Sequence, residues 1–454
     1  MAVDISTLVA ALPAGRVVTD PDVLGAYRFD RANDPDAGTP LAVVRPTSTE
    51  QVQAAVRWCS QRAVPMVVRG AGTSLSGGST AVDGAVTICT EQMTDITVDV
   101  ATRTVVAQPG ALNADVKAAA AQHGLWYPPD PSSFEICSIG GNIATNAGGL
   151  CCVKYGVTVE YVLGLQVVLA DGRAVRLGGR QLKDSAGLPL TKLFVGSEGV
   201  LGIVTEVTLR LLPAQSTPAT VVASFPSVVE ATRAVLDITA QIRPAMLEFM
   251  DSVAINAVED MLKMDLDRSA GAMLVAQSDA AGPAVAHEVA IIEAAFAEHG
   301  ATECFSTTDP EEGEMFTAAR RAAIPAVERL GPLLLEDVGV PLPQLPDLVA
   351  GVAEIATTND VTISVIAHAG DGNTHPLIVH DPDDADETRR ANKAFGQIMD
   401  LAIELGGTIT GEHGVGRLKK GWLPDQVGPD VMEMTAMIKK ALDPQGLLNP
   451  GVVL

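Results

Sequence analysis

The chain has 454 residues, enough for two or three domains with sizeable cores. Apolar residues make up 47% of it and its mean hydropathy is +0.25, which excludes general disorder; aromatics are only 4%, so alanine carries much of the apolar content. A formal charge of −24 disfavours nucleic acid and anionic membrane surfaces as partners, and reads as solubility rather than as a docking face for a basic redox partner.

Residues 1–40 read as a helical lead-in followed by a polar Asp/Pro loop, Asp30 to Pro40. The start, Met-Ala-Val-Asp-Ile-Ser, lacks a basic n-region and carries Asp4, and no run of 18 apolar residues occurs; a cytoplasmic chain with no transmembrane segment is expected. From Leu41 the pattern becomes strand–helix–strand. Leu41–Arg45 is a predicted strand, Ser48 and Gln51 stand at capping-box spacing before a helix to Arg62, and Pro65–Arg69 is the next strand. Short strands at Ala85–Cys89, Ile96–Val100 and Thr104–Ala107 precede a helix over Asn113–His123. A stretch of small residues covers 128–156. Predicted strands Val162–Leu169 and Ala174–Arg176 flank an Asp171-Gly172 turn, and Gly202–Leu212 is another strand. Pro213–Pro218 is a polar, Pro-punctuated linker. Beyond it come a strand over Val221–Phe225 and helices over Val228–Gln241, 251–262, 282–299, Pro310–Ala326, Pro341–Asn359, Asp386–Leu405 and Pro429–Ala441, with a hairpin at 361–380. No internal repeat or low-complexity segment interrupts this order.

Six cysteines (59, 89, 137, 151, 152, 304) form no CxxC and read as reduced, mostly buried thiols. No cysteine cluster suits an iron–sulfur centre, so any electrons leaving the chain pass to another protein.

Three Gly-rich loops fall within 135 residues. Arg69–Ser79 follows an apolar strand, and its glycines let backbone N–H groups converge on phosphate oxygens. It fits neither GxGxxG, since no glycine stands three residues after Gly72, nor a Walker A loop, since Gly77 is followed by Gly78 and not Lys. Pro128–Ser133 with Ile139–Gly149 carries few large side chains, so backbone can approach a flat ring system closely. Gly196–Gly202 enters a strand. Each alone is more often a structural turn; three together favour a large cofactor.

The segment Val365–Ile378 places His368 and His375 around Asp371-Gly372. Asp-Gly between apolar runs predicts a type I′ hairpin that sets His368 directly opposite His375, their Cβ atoms about 5 Å apart. Two imidazoles at that spacing can hold one metal ion, and Glu412 and His413 stand together in a second Gly-bracketed loop, Gly411–Gly414. The competing reading of each histidine is a hydrogen-bonded core residue.

These segments resemble the FAD-dependent D-2-hydroxyacid dehydrogenases of the vanillyl-alcohol oxidase superfamily: D-lactate dehydrogenases of the cytochrome type, D-2-hydroxyglutarate dehydrogenases and glycolate oxidase subunits. The resemblance covers about 40–454. It is carried by RGAGTSLSGG (69–78), PPDPSS (128–133), SIGGNIATNAGG (138–149), GSEGVLGIVTEVTL (196–209), HAGDGNTH (368–375), GEHGVG (411–416) and LDPQGLLNPG (442–451). It implies an α+β fold: a two-lobed FAD-binding domain of the vanillyl-alcohol oxidase type at 41–213, an α+β substrate-binding cap domain with the metal hairpin at 218–405, and a C-terminal segment, 406–454, packing near the FAD domain.

The resemblance also implies roles. The FAD pyrophosphate would lie against Arg69, Gly70, Ala71, Gly72, Thr73, Ser74 and Gly77. Its rings would lie against Pro129, Asp130, Ser133, Gly140, Gly141, Thr145, Asn146, Gly148, Glu198, Gly199 and Ile203, with Asn449 near the end of the chain. Relatives with covalent flavin carry a histidine in the first loop; Thr73 and Ser74 stand there, so non-covalent FAD is expected. His368, His375 and Glu412 match metal ligands, for zinc with manganese or iron left open. Asn373 and His413 match substrate-contacting positions, His413 as the catalytic base, and Arg320 matches an arginine that clamps the substrate carboxylate. Some relatives that take a dicarboxylate have a lysine near Leu333–Val338; this chain has no basic residue there, which turns the expectation from 2-hydroxyglutarate toward a D-lactate-like acid. The lysine that often follows the terminal Asn-Pro-Gly is here Val452. Reduced FAD would pass electrons to a quinone, a cytochrome or an electron-transfer flavoprotein, and a homodimer is left open. Glycolate, 2-hydroxyglutarate and an oxidase using O₂ remain alternatives. A non-redox alkylglycerone-phosphate synthase would need a run of histidines that this chain lacks, and the Gly-rich loops argue against a flavin-free metal hydrolase.

Overall fold

The computed structural model describes residues 3–454; Met1 and Ala2 of the predicted lead-in lie outside it. The chain divides into two compact units. The first holds the residues up to Gly148, Val157–Ala214 and Glu412–Leu454; the second holds Gly149–Gly156 and Gln215–Gly411.

In the first unit the predicted strand–helix–strand is present as Ala42–Val44, Thr49–Arg62 and Met66–Arg69. Ser48 Oγ accepts from Gln51 N, but the Gln51 side chain returns to Thr47 N, one residue before the position a capping box predicts. The helix turns Val52, Ala55, Val56 and Cys59, spaced i, i+3, i+4, i+7, onto the strands. Val86–Cys89 lies between the other two strands, parallel to both, and Val17–Val18 adds an antiparallel edge. A second sheet is antiparallel, in the order Ile96–Asp99, Thr104–Ala107, Ile203–Arg210, Val162–Val168, Ala174–Gly178. Ile203, Thr205, Val207 and Leu209 alternate inward along its central strand, so one face meets the core. The C-terminal residues return to this unit: Met66 N donates to Leu447 O at 2.7 Å, and Lys439 Nζ donates to Val200 O and Leu448 O, each at 2.8 Å. The small-residue stretch is not all loop. Ile139–Thr145 is helical because Ile139 and Ile143, one turn apart, are both fully buried.

The second unit is built on one antiparallel sheet. Its order is Glu303–Thr307, Ala219–Phe225, Ala272–Ser278, Met246–Asp251, Thr362–His368, Asn373–Val379, Leu333–Leu335, and Val338–Gly339 also pairs with Asn373–Val379. Five of these strands, Met246–Asp251, Ala272–Ser278, Glu303–Thr307, Leu333–Leu335 and Val338–Gly339, were not predicted. All six residues of Met246–Asp251 are buried, so the alternation that marks a half-exposed strand is missing from its sequence. The helix predicted over Pro310–Ala326 is two, Pro310–Arg321 and Ala323–Val327. Pro325 has no N–H to give to the Arg321 carbonyl, and its ring crowds that carbonyl. Met246, Met250, Val275, Ile366 and Leu377 form one apolar face, covered by Ala254, Ile255 and Val258 of one helix and Ala319, Ala323 and Val327 of others. Among the described residues no helix is long and apolar enough to cross a membrane.

Candidate active site

The first unit presents a cradle made mostly of main chain. The loop after Arg69 turns at Gly72 (φ +75°) and Gly77 (φ +77°), conformations that favour glycine. Ser138 Oγ accepts from both Ala71 N and Gly141 N at 3.3 Å, tying this loop to the start of the Ile139 helix. A Cβ on Gly140 would lie 2.6 Å from Pro109 Cβ and 2.9 Å from Pro109 O, so only glycine lets that helix approach so closely. The proline segment is held from below: Asn113 Nδ2 donates to Pro129 O and to Asn142 Oδ1, and Lys117 Nζ donates to Tyr127 O and Pro128 O. The third loop joins through Glu198 N to Ala144 O, 2.8 Å. Asn449 closes the set, its Oδ1 accepting from Val68 N at 2.7 Å and its Nδ2 donating to Glu198 O at 2.6 Å. Of the residues expected at the flavin, Ile203 is fully buried in the core, and Asn146 ends the helix in the left-handed region while its Oδ1 accepts from Val159 N. All four small-residue segments therefore converge, an arrangement that fits a large flat cofactor with a phosphate tail.

The Gly411–Gly416 loop begins where the chain passes from the second unit to the first. His413 Nε2 lies 3.5 Å from Glu412 Oε1. Ser76 Oγ donates to His413 O, and a Cβ on Gly416 would collide with Ser76 O. Glu198 holds the same loop, accepting from Val415 N at 2.8 Å and Gly416 N at 2.7 Å. Burial pushes the Glu198 carboxyl up to about 7, against those two N–H groups and Lys419, which favour its ionised form.

In the second unit the hairpin register differs from the predicted one. His368 pairs with Asn373 and Ile366 with His375, so the loop is four residues, 369–372. A type I′ turn needs positive φ at both central residues; Gly372 has it (φ +83°) and Asp371 does not. Instead Asp371 N and Gly372 N both donate to His368 O. The histidines are thus diagonal rather than opposite. The register is displaced by an even number, so they still share a face. Their rings meet edge to face with centroids 5.1 Å apart, and a nitrogen of one lies within 4.8 Å of a nitrogen of the other. Both are 3% exposed. The same face carries Glu248 on the neighbouring strand: its Oε1 and Oε2 lie 2.9 and 3.0 Å from His368 Nδ1. Glu248 Oε2 also lies 2.9 Å from Nη2 of Arg320, which the Pro310–Arg321 helix brings in at 1% exposure. Asp337 stands 3.8 Å from His375 Nδ1 and accepts from Thr410 Oγ1 and Gly411 N, fixing the chain one residue before Glu412. Asn373 Oδ1 is buried with no hydrogen-bond partner. Two imidazoles with facing nitrogens, each near a carboxylate, fit a borderline divalent cation.

Sequence reading missed Ser138, Asn113, Glu248 and Asp337. Ser138 was within reach, as a serine directly before a hydrophobic i, i+4 pair. Glu248 and Asp337 carry no local signal, because only sheet pairing brings them to the histidines.

A glycine-lined cradle, and a buried cluster of two histidines and an arginine, define a flavin-dependent oxidoreductase with the fold of the vanillyl-alcohol oxidase type. Comparison with known proteins agrees. Residues 40–178 match the family described as FAD binding domain, and residues 214–453 match FAD linked oxidases, C-terminal domain. The chain belongs to this FAD-linked oxidase family. It is 41% identical to the glycolate oxidase subunit GlcD of Bacillus subtilis over 441 residues, 96% of this chain and 92% of that protein. It is 32% identical to a D-lactate dehydrogenase of Archaeoglobus fulgidus over 435 residues, 94% and 95% of the two chains. A solved p-cresol methylhydroxylase covers 98% of this chain and 95% of its own with a TM-score of 0.82; at 17% identity that likeness shows the fold.

Proposed function

We propose that the chain oxidises a small D-2-hydroxyacid, D-lactate or the related glycolate, to the 2-oxoacid. The observation that carries this reading is the buried line His375, His368, Glu248, Arg320: a guanidinium and two imidazoles gathered on one face of one sheet. When bound, FAD supplies a two-electron acceptor, and a divalent cation supplies a Lewis acid that lowers the pKa of a hydroxyl. His368 and His375 hold the cation, zinc in this reading, with Glu412 as third ligand, the residue directly after anchored Gly411. Arg320 presents the planar fork that suits a carboxylate, and Asn373 adds a polar contact. His413 takes the hydroxyl proton at its imidazole.

Two features support a monocarboxylate. The relatives named above are a glycolate oxidase subunit and a D-lactate dehydrogenase, and both names denote small monocarboxylic 2-hydroxyacids. Leu333–Val338 leads into buried Glu336 and Asp337 and carries no cation for a second carboxylate. FAD is held without a covalent bond, since Thr73 and Ser74 offer no imidazole. Electrons leave to a quinone, cytochrome or electron-transfer flavoprotein in the cytoplasm, and the chain works as a monomer or homodimer.

Anaerobic bleaching of the yellow enzyme by a panel of D- and L-2-hydroxyacids tests the reading. D-lactate and glycolate should bleach the flavin, L-lactate and D-2-hydroxyglutarate much less. A chelator should stop bleaching while the FAD spectrum persists. Bleaching that a chelator does not touch would remove the metal, and preference for a dicarboxylate would remove the substrate class. Hydrogen peroxide in air would mark an oxidase.

A further inference from the structure

Among the buried charged groups, Glu248 has the most consequential placement and no role in the chemistry proposed above. Phe249 pairs with Ala367 and Met250 with Ile366, so the antiparallel register sets Glu248 across from His368. It stands between Met246 and Met250, which face the apolar cluster, so a carboxylate interrupts an otherwise hydrophobic row. Its exposure is 1%, and burying a carboxylate there is costly without compensating partners. Two are present: His368 Nδ1 at 2.9 Å and Arg320 Nη2 at 2.9 Å. One carboxylate thus touches both a proposed metal ligand and the proposed substrate clamp.

We propose that Glu248 is a positioning residue that couples the metal-binding imidazole to the carboxylate-binding guanidinium. An ionised carboxylate only accepts, so the proton of His368 sits on Nδ1 and Nε2 is left as the donor to a metal. The same contact fixes the ring plane. On its other side Glu248 sets its charge 2.9 Å from Nη2 of Arg320, an ion pair that keeps the guanidinium beside His368. Local sequence carries no sign of this coupling, because residues 248, 320 and 368 lie on three separate elements.

The inference rests on the metal reading above, and the test separates the two. Zn²⁺ affinity is measured on the FAD-loaded protein by competition with a chromogenic chelator, for wild type, His368→Ala and Glu248→Gln, alongside KM and kcat for D-lactate, the FAD-to-protein ratio and Tm. In Glu248→Gln the Zn²⁺ Kd should rise about 10- to 100-fold. KM should rise with it, at unchanged FAD content. Wild-type Zn²⁺ affinity and KM in a folded Glu248→Gln protein would overturn the coupling, while loss of Zn²⁺ binding in His368→Ala would show that the metal reading still stands. A wild-type protein that binds no Zn²⁺ would overturn both. Should Glu248→Gln fail to fold because it strands a buried guanidinium, the Glu248→Gln/Arg320→Gln pair removes both charges. Its Zn²⁺ Kd should still rise at least tenfold over that of Arg320→Gln alone, and equal values would overturn the proposal.

Discussion

The two units gather their polar groups in opposite ways. The first uses main chain: Gly72 and Gly77 turn the loop, Gly140 lets a helix press on Pro109, and short side chains such as Ser138 and Asn449 serve to tie one backbone segment to another. The second uses charged side chains over one face of a sheet, with His368, His375 and Glu248 on its strands and Arg320 on a covering helix, all buried. A backbone-built site depends on what is absent, so it is sensitive to added atoms. A side-chain-built site depends on which charges are present, so it is sensitive to removed ones.

Removal in the second unit should produce the largest effect. His375→Ala deletes one of the two facing imidazoles and nothing from the cradle. Turnover of D-lactate should fall about a thousandfold, equivalent to ~4 kcal/mol of lost transition-state stabilisation. The FAD-to-protein ratio and the flavin spectrum should stay at wild-type values. Steady-state kinetics and absorption spectra of the same preparation check both halves. Loss of FAD in this variant would break the division of labour between the units.

Glu198 is the exception in the first unit: a buried carboxylate in a site otherwise made of main chain. Burial raises its pKa from an ordinary 4.5 to about 7. A carboxyl with a raised folded pKa favours the protonated fold. Its contribution is full below the unfolded pKa, declines as pH rises from 4.5 toward 7, and is flat above that. The stability of wild type relative to Glu198→Gln should therefore fall by up to roughly 3 kcal/mol across that window, at 1.36 kcal/mol per unit. Urea unfolding of both proteins at pH 5, 6, 7 and 8 measures the difference. A difference independent of pH would show that Val415 N and Gly416 N compensate burial fully.

The same contrast explains what could be read from the sequence. The cradle was legible because a backbone-built site is written as local runs of glycine and proline, as in 69–78 and 139–149. The histidine pair was legible because both residues lie within one hairpin. Its register was misread, since Asp371-Gly372 suggested two positive φ values where only Gly372 has one. The shared face survived because the displacement was even. Glu248 was not legible at all. It sits in Met-Leu-Glu-Phe-Met, a strand buried on both faces, and its partners are 72 and 120 positions away (320 − 248 and 368 − 248). The helix at Ile139–Thr145 was hidden for a different reason, because its glycines argue for a loop while two isoleucines one turn apart decide for a helix.

The smallest effect is expected at Ser138, and it tests whether the cradle obeys the rule of absent atoms. Ser138→Ala removes the acceptor for Ala71 N and Gly141 N, and with it the cap of the Ile139 helix, at a cost of about 1 kcal/mol. FAD affinity should fall by less than about tenfold, which is 1.4 kcal/mol. Gly70→Ala should be worse than that alone, since its new Cβ would collide with Ser138 Oγ, although Gly70 is not among the positive-φ glycines. In the double variant the oxygen is gone and Ser138 Cβ lies 3.6 Å from the added carbon, an ordinary contact. The two changes should then be non-additive, the pair destabilised by about 1 kcal/mol less than the sum. FAD titration and unfolding of all four proteins complete that cycle. Simple additivity would mean that the Gly70 loop is held by its own turn geometry rather than by its fit against the helix.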